Sequence, residues 1–414
     1  MSDNTKPNNK IANAYASLIT STLTGYFIGE PITYSAQDES MLEELQLLFE
    51  YNDEADENAE LAKNASIYGV AYELLYMEKQ DEGMGRPMLR FHALDPRECI
   101  PIYDDTIEKN LIAFIRYYTV KDLNTEKDSL SVEFYNDKEC RRYSSAVGAG
   151  LSLIEITEHY FGMVPVAIFK NNEELMGDFE PVISLIDAYD MMESDTVNDF
   201  NYFVDAYLAL YGFTAEPEDI VKMKENRVLL MDEGTSAEWL IKNASDTNTE
   251  NMKVRLDKDI HKFAHCPDMS DENFAGNSSG VAIQFKLLGT ENLVSIKERK
   301  FKKGLQQRLE LIAQIQGLLG ANFDWRAIDI IFVRNLPVNL TELAQMISAL
   351  DGIVSNKTLL AQIPFVEDVA TEQEQLAKEQ EESKMNNPFL QSANLNYSTG
   401  AMKNYEEKEQ TNEE

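Results

Sequence analysis

Apolar residues between positions 178 and 207 recur mostly every three or four residues, which is the spacing of one face of an α-helix. Aspartates occupy much of the remaining surface, so one face of this helix packs while another stays in water. At a rise of about 1.5 Å per residue, such a helix reaches on the order of 40 Å and needs neighbours along its length. The apolar positions are Val182, Ile186, Tyr189, Val197, Phe200, Val204 and Tyr207.

Other helical patterns supply candidate neighbours for this helix. The longest covers residues 281–319, with Gly289 and Gly304 as candidate bend points. A tract rich in Glu and Gln, at 367–382, leads into a polar tail that should be disordered or only transiently helical. Shorter helical patterns cover residues 10–23, 40–51, 61–68, 251–263, 340–353 and 357–363.

Short β-rich runs, separated by turn residues, fill residues 71–169. No strand–helix–strand alternation occurs, which favours a mostly antiparallel sheet and an α+β fold class. Two short strand candidates, 227–231 and 237–241, flank a turn, and a further strand-like run covers 328–339. The runs of the first group are AYELLYM, MLRFHAL, CIPIY, LIAFIRYYTV, LSVEFYN, SLIEITEHYF and VPVAIF.

The composition is that of an acidic globular protein. Of 414 residues, 43% are hydrophobic, enough to bury a sizeable core. The net charge of −35 disfavours tight nucleic-acid binding, which depends on Lys and Arg contacts to phosphates. Three scattered cysteines indicate neither a disulfide framework nor a paired metal site. Because no signal peptide or long apolar span is readable, we expect a soluble, unprocessed protein without a membrane role.

Residues 268–280 are rich in Gly, Ser, Asn and Asp, which predicts a loop. The sequence GNSSG at its end is not a phosphate-binding loop, because Val281 and Ala282 stand where that motif requires Lys and Ser or Thr. Glycines allow the backbone to move and to pass close to another surface. The pattern therefore predicts a flexible loop at the head of a helix, without a bound nucleotide.

His261 and His265 lie four residues apart in a helical pattern, the spacing that places two imidazoles on one face for a metal. The run HKFAH lacks the Glu of H-E-x-x-H, and Pro267 ends the helix, which favours a structural pair. Carboxylates are too numerous to single out acid–base pairs, and no Gly-x-Ser-x-Gly motif is present. We expect no catalytic residue and no cofactor; a metal-dependent hydrolase using the two histidines is an alternative.

The run KERKFKK is the main basic cluster of the chain. It either contacts DNA or neutralises an acidic face of a neighbouring helix or subunit. The second interpretation is favoured, because unlike charges pair in so acidic a chain. Its cations are Lys297, Arg299, Lys300, Lys302 and Lys303.

Several segments together resemble the portal proteins of tailed bacteriophages, in the branch typical of siphophages of Gram-positive bacteria. The resemblance extends from near the N-terminus to about residue 365. None of the segments is a catalytic signature, but their order and spacing are specific. They are NNKIANAYASLITSTLTGYFIGEPITY, IYGVAYELLY, LDPRECIPIYDD, HYFGMVPVAIFKNNEE, GDFEPVISLIDAYDMMESDTVNDFNYFVDAYLALYG and DENFAGNSSGVAIQFKLLG.

The resemblance implies a ring, usually of twelve subunits, with regions called wing, stem, clip, tunnel loop and crown. The insert at 212–247 is short and the C-terminal region modest, so the sizes of clip and crown stay open. The implied regions are a wing at 1–177, a stem helix at 178–211, a clip at 212–247, a second stem helix at 248–267, a tunnel loop at 268–280, a long kinked helix with a wing strand at 281–339, crown helices at 340–385 and a disordered acidic tail at 386–414.

The resemblance also implies site residues. The tunnel loop, expected to line the DNA channel, carries Asp271, Glu272, Asn273, Phe274, Gly276, Asn277, Ser278, Ser279 and Gly280. The clip, expected to dock the terminase, carries Arg227, Asp232, Glu233, Glu238 and Trp239.

The implied function is a channel at one capsid vertex for packaging and ejecting double-stranded DNA. Twelve copies would carry roughly −420 charges, so the channel repels the duplex and lets it slide. Implied partners are the terminase, a head-completion or connector protein, and the major capsid and scaffold proteins, in the virion and during assembly in the host cytoplasm. A connector or minor capsid protein without a role in DNA translocation is the alternative.

Overall fold

A computed structural model describes residues 8–78, 88–121, 128–146, 150–203, 207–211, 236–240, 246–269, 280–321, 323–335, 340–360, 362–363, 366 and 369–385. The chain divides into two compact units, residues 1–335 and 336–414. The first unit mixes helices with antiparallel sheets, which confirms the α+β fold class.

Three helices open the first unit: α1 (Tyr15–Ile28), α2 (Glu39–Tyr51) and α3 (Glu54–Tyr68). Helix α2 begins where the Asp38 carboxylate accepts a hydrogen bond from the Met41 amide at 3.2 Å. Helix α3 ends at Gly69, whose φ of 77° lies in the left-handed region. A Cβ there would lie 1.9 Å from the Leu175 carbonyl oxygen, so only glycine fits this helix end.

Two antiparallel sheets follow. The first has the order β3-β2-β9, with β2 (Val70–Glu78) buried between β3 (Met88–Leu94) and β9 (Val166–Lys170). The second has five strands in sequence order, and its fourth strand has a polar sequence, ECRRYSSA, that was not predicted as a strand. These five are β4 (Cys99–Tyr103), β5 (Leu111–Lys121), β6 (Asp128–Tyr135), β7 (Glu139–Ala146) and β8 (Ser152–Glu158).

Two short strand pairs complete the described sheets of this unit. Strand β1 (Thr33–Ser35) pairs antiparallel with β12 (Asp329–Ile331), and β10 (Tyr207–Tyr211) pairs with β11 (Ser236–Leu240). The predicted helix over 178–207 was therefore too long, because Tyr207 begins a strand. The apolar run YLALY fits a strand as well as a helix, and pairing with β11 decides between them. The strand predicted at 227–231 lies outside the described residues.

Three helices form the middle of the chain: α4 (Ile183–Phe203), α5 (Asp246–Phe263) and α6 (Gly280–Leu318). Helix α6 has 39 residues and runs unbroken through Gly289 and Gly304, the two candidate bend points. Gly304 allows β9 to approach, because a Cβ at this position would lie 2.5 Å from the Phe169 ring. The main core includes the α6 side chains Phe301, Leu305, Leu309 and Ile312.

The second unit contributes α7 (Leu340–Leu350), α8 (Asn356–Leu360) and α9 (Val369–Met385). Helix α9 covers most of the Glu- and Gln-rich tract and lies within the range 340–385, where helices were expected. Residues 386–414 lie outside the described part of the chain. Among the described helices, none has the length and apolar character needed to cross a membrane.

Candidate functional site: the central helices and the loop they flank

Helices α4 and α5 pack as an antiparallel pair. The Lys253 ammonium lies 2.9 Å from the Glu193 carboxylate, and this hydrogen bond raises the pKa of the lysine. Four residues further along α5, and four residues back along α4, Tyr15 of α1 joins the two helices. Its ring lies 5.3 Å from that of Tyr189, and its hydroxyl donates to Asp257 at 2.6 Å. Position 193 is thus level with 253 and position 189 with 257, which fixes the antiparallel register.

Helix α6 is fixed to the rest of the first unit by a buried ion pair. Lys297, 4% exposed, donates to the Asp178 carboxylate just before α4, which also accepts hydrogen bonds from Ser66 and Asn171. Burial lowers the pKa of Lys297, and the negative charge of Asp178 opposes that shift. Because a buried charge requires a partner, this pair holds α6, α3 and the start of α4 together.

The basic cluster on α6 is largely engaged by the chain itself. Lys297 pairs with Asp178, Lys300 with Glu173, and the Lys302 ammonium donates to the Ile330 carbonyl at 3.3 Å. The remaining two cations, Arg299 and Lys303, are exposed. These contacts favour neutralisation within the subunit for Lys297, Lys300 and Lys302. For Arg299 and Lys303, pairing with a neighbouring subunit and contact with DNA both stay predictions.

The loop predicted at 268–280 is described at its two ends. Asp268 and Met269 follow α5, and Gly280 begins α6, whereas the expected channel residues 271–279 lie outside the described residues. The Thr290 hydroxyl donates to the His265 carbonyl at 2.7 Å. The loop therefore begins shortly after His265, which is hydrogen-bonded to α6, and ends at Gly280, the first residue of the same helix.

The expected clip is described only at its base. Backbones of Leu208 and Ala209 on β10 pair with those of Trp239 and Glu238 on β11. Arg227, Asp232 and Glu233 lie outside the described residues. The strand pair β10–β11 thus closes the connection between α4 and α5.

His261 and His265 line one cavity, and their role as a structural pair stays a prediction. In the described part of the chain, His261 forms a possible ligand group with Asp257 and Asp268, whose candidate ligand atoms lie within 4.8 Å of one another. The Nδ1 atom of His261 lies 3.2 Å from the Cys266 carbonyl oxygen, and His265 has a φ of 52° after the helix end. Lys262 and Lys286 line the adjoining cavity, and their positive charges oppose cation binding.

Comparison with known proteins identifies the fold's family. A family model described as "Phage portal protein, SPP1 Gp6-like" matches residues 2–385. The chain belongs to this phage portal protein family. The portal protein of Bacillus phage SPP1 is 25% identical over 400 residues, covering 92% of this chain and 77% of the relative. The portal protein of Clostridium phage phiCD119 is 26% identical over 379 residues, covering 87% and 82%.

These relatives confirm the resemblance drawn from the sequence, including its link to phages of Gram-positive bacteria. The sequence reasoning missed Arg308 of α6, although this portal-family chain buries it completely. A signal was present, because Arg308 stands on the apolar stripe of Phe301, Leu305 and Ile312. A charged residue on such a stripe needs buried partners, and Arg308 finds Glu54 and Glu73.

Proposed function

We propose that this portal-family chain forms a ring of about twelve copies at one capsid vertex, through which double-stranded DNA enters and leaves. The observation that carries the proposal is the antiparallel pair α4–α5, continued by a glycine-rich loop whose two ends meet α6. In a closed ring such a pair surrounds an axis, and the loop between α5 and α6 is available to line it. Membership of the portal family supports the same arrangement.

In this assignment α1–α3, the β-sheets up to β9 and strand β12 form the wing. Helices α4 and α5 form the stem, β10 and β11 the base of the clip, 268–280 the tunnel loop, and the helices from α7 onward a small crown. The long helix α6 joins the tunnel loop to the wing through the Lys297–Asp178 pair. The proposal places the protein in the virion and, before that, in the host cytoplasm during assembly.

The acidity of the chain suits a channel through which DNA moves. A net charge of −35 per copy repels phosphates, and salt screens this repulsion beyond about 8 Å. Strong phosphate contacts would each have to break as the duplex advances, whereas neutral Asn and Ser groups exchange hydrogen bonds readily. We infer that residues 271–279 act as a passive grip, and that a separate terminase ATPase, docked at the clip, supplies the energy.

Deleting residues 274–279 tests the role of the loop in the complete phage. We expect procapsids of normal composition that package or retain less DNA, measured as nuclease-protected DNA per particle. Deletion of six residues from the tail, 409–414, serves as the control of equal length. Normal packaging and retention after the loop deletion would support the alternative, a connector or minor capsid protein without a role in translocation.

Ring formation is tested separately on the purified full-length protein by native mass measurement and electron microscopy. We expect an assembly of about twelve copies with a channel as wide as a DNA duplex. A protein that stays monomeric at micromolar concentration, or a ring with a basic bore, would contradict the proposal. The head-completion, scaffold and major capsid proteins are the further proposed partners of this ring.

A further inference from the structure

We propose that neighbouring copies join through their stems, with the outer face of α4 on one copy bound to the outer face of α5 on the next. This inference rests on the proposed ring and names the surfaces that close it. Two rows of exposed side chains carry the argument. The α4 row is Asp187, Met191 and Asp195, and the α5 row is Arg255, Lys258 and Lys262.

The α4 row is acidic and partly apolar. Its members are spaced by four residues, so they stand above one another on one side of the helix. Met191 is 62% exposed. Among the described residues, neither Asp187 nor Asp195 has an ion-pair partner. The described N-terminal segment, from residue 8, lies along an adjacent side of α4, where Ile11 and Asn13 donate backbone hydrogen bonds to Ser194 and Asp190. The side chains of the α4 row are exposed beside it.

The α5 row is basic, which is unusual in a chain with a net charge of −35. The Arg255 side chain is 78% exposed, and its ion pair with Asp259 on the same helix is long, at 3.8 Å. Lys258 and Lys262 are exposed one and two turns further along. Met252 and Val254, 47% and 51% exposed, add apolar surface beside them. The face thus offers cations and apolar groups to a partner that carries carboxylates.

The two rows face away from each other within one subunit. On α4 the side chains turned towards α5 are Ile186, Tyr189 and Glu193, about half a turn from the exposed row. On α5 the inward side chains are Lys253, Leu256 and Ile260. Because each row lies on the side opposite the contact between the helices, the pair is acidic at one side and basic at the other. A surface of this kind joins identical copies head to tail, and such contacts close into rings.

The charges of the α4 row and the α5 row also lie at matching heights, meaning positions along the axis of the stem. Rotation about an axis that runs along the stem keeps every residue at its own height, so the register within one subunit also holds between neighbours. Position 189 is level with 257, which places Asp187 beside the turn that carries Lys258 and Lys262. Position 193 is level with 253, which places Asp195 within about one turn of Arg255. Met191 then lies between the two ion pairs.

Charge reversal tests the contact on the full-length protein. The variant D187K/D195K and the variant R255E/K258E each place like charges on both sides of the junction, at the expected pairs Asp187–Lys258 and Asp195–Arg255. We expect each to raise at least tenfold the concentration at which half of the protein is in rings, measured by sedimentation and native mass spectrometry. Reversing both rows in one chain restores the attraction and should restore rings. An equimolar mixture of the two variants should co-assemble as well, with the two kinds of subunit alternating.

The control for D187K/D195K is E43K/E44K, which makes the same charge change at two exposed positions of α2 and should leave assembly unchanged. Circular dichroism shows whether each variant keeps its helical content. Rings that form normally from both reversed variants, or a double reversal that fails to recover assembly, would overturn the stem contact while leaving the ring itself in place. An unmodified protein that never forms rings would overturn both proposals.

Discussion

Replacing Arg308 by methionine removes the centre of a buried charge network without changing the length of the side chain greatly. The guanidinium donates to Glu73 at 2.7 and 2.8 Å, to Glu54 at 3.0 Å and to Asn58 at 2.8 Å. It also lies 4.6 Å from the centre of the Phe91 ring. The arginine therefore joins α6 to α3 and β2 inside the core of the first unit.

The expected loss of stability follows from the buried carboxylates that Arg308→Met leaves in the core. Glu73 is fully buried and Glu54 is 7% exposed, so the substitution leaves two carboxylates without their cation. Breaking a buried ion pair from one side lowers the free energy of unfolding by about 3–5 kcal/mol. Arg299→Met removes an exposed arginine from the same helix and should change stability by no more than about 0.5 kcal/mol.

The loss of unfolding free energy caused by Arg308→Met should also depend on pH. Burial raises the pKa of Glu73, and the charge and hydrogen bonds of Arg308 oppose that shift. Without the arginine, the pKa of this carboxyl rises further. A carboxyl whose pKa is raised by folding stabilises the protein below its unfolded pKa and loses that contribution as pH rises through the folded value. The deficit of Arg308→Met should therefore be larger at pH 8 than at pH 5.

Urea unfolding followed by circular dichroism, at fixed protein concentration, measures both effects. Adding Glu73→Gln to Arg308→Met should recover part of the lost stability, because one uncompensated charge disappears. Equal unfolding midpoints for Arg308→Met and Arg299→Met, or a deficit that is the same at both pH values, would refute the reasoning.

Two further substitutions follow from the packing of α6. Gly304→Ala pushes a methyl group into the Phe169 ring and should lower stability by about 1–3 kcal/mol in urea unfolding, whereas Gly317→Ala in the same helix meets open space and should be neutral or slightly stabilising. Lys297→Met leaves the Asp178 carboxylate buried without its cation and should cost about 3 kcal/mol. A loss for Gly317→Ala equal to that for Gly304→Ala, or wild-type stability of Lys297→Met, would contradict these expectations.

Repeating local patterns determined much of the described fold. The amphipathic periodicity of α4, α5 and α6 and the alternating strands β2–β6 follow from the chain itself, because helix and strand faces repeat every few residues. Strand β7 was missed because its polar sequence has little strand preference; it is a strand because β6 and β8 bond to both of its edges. The sequence prediction extended helix α4 too far for a related reason. Pairing of β10 with β11 overrides the helical pattern at residue 207.

The family could also be inferred from the sequence, through the order and spacing of the six segments that resemble portal proteins. What the sequence could not supply was the set of partners made by distant residues. Lys297 belongs to a basic run that was expected to pair with an acidic face, but its partner Asp178, 119 positions away, could not be identified from the sequence. Arg308 meets Glu73 across 235 positions. A charge is stable in a core only where opposite charges converge on it, and that convergence exists only once the helices and sheets have packed.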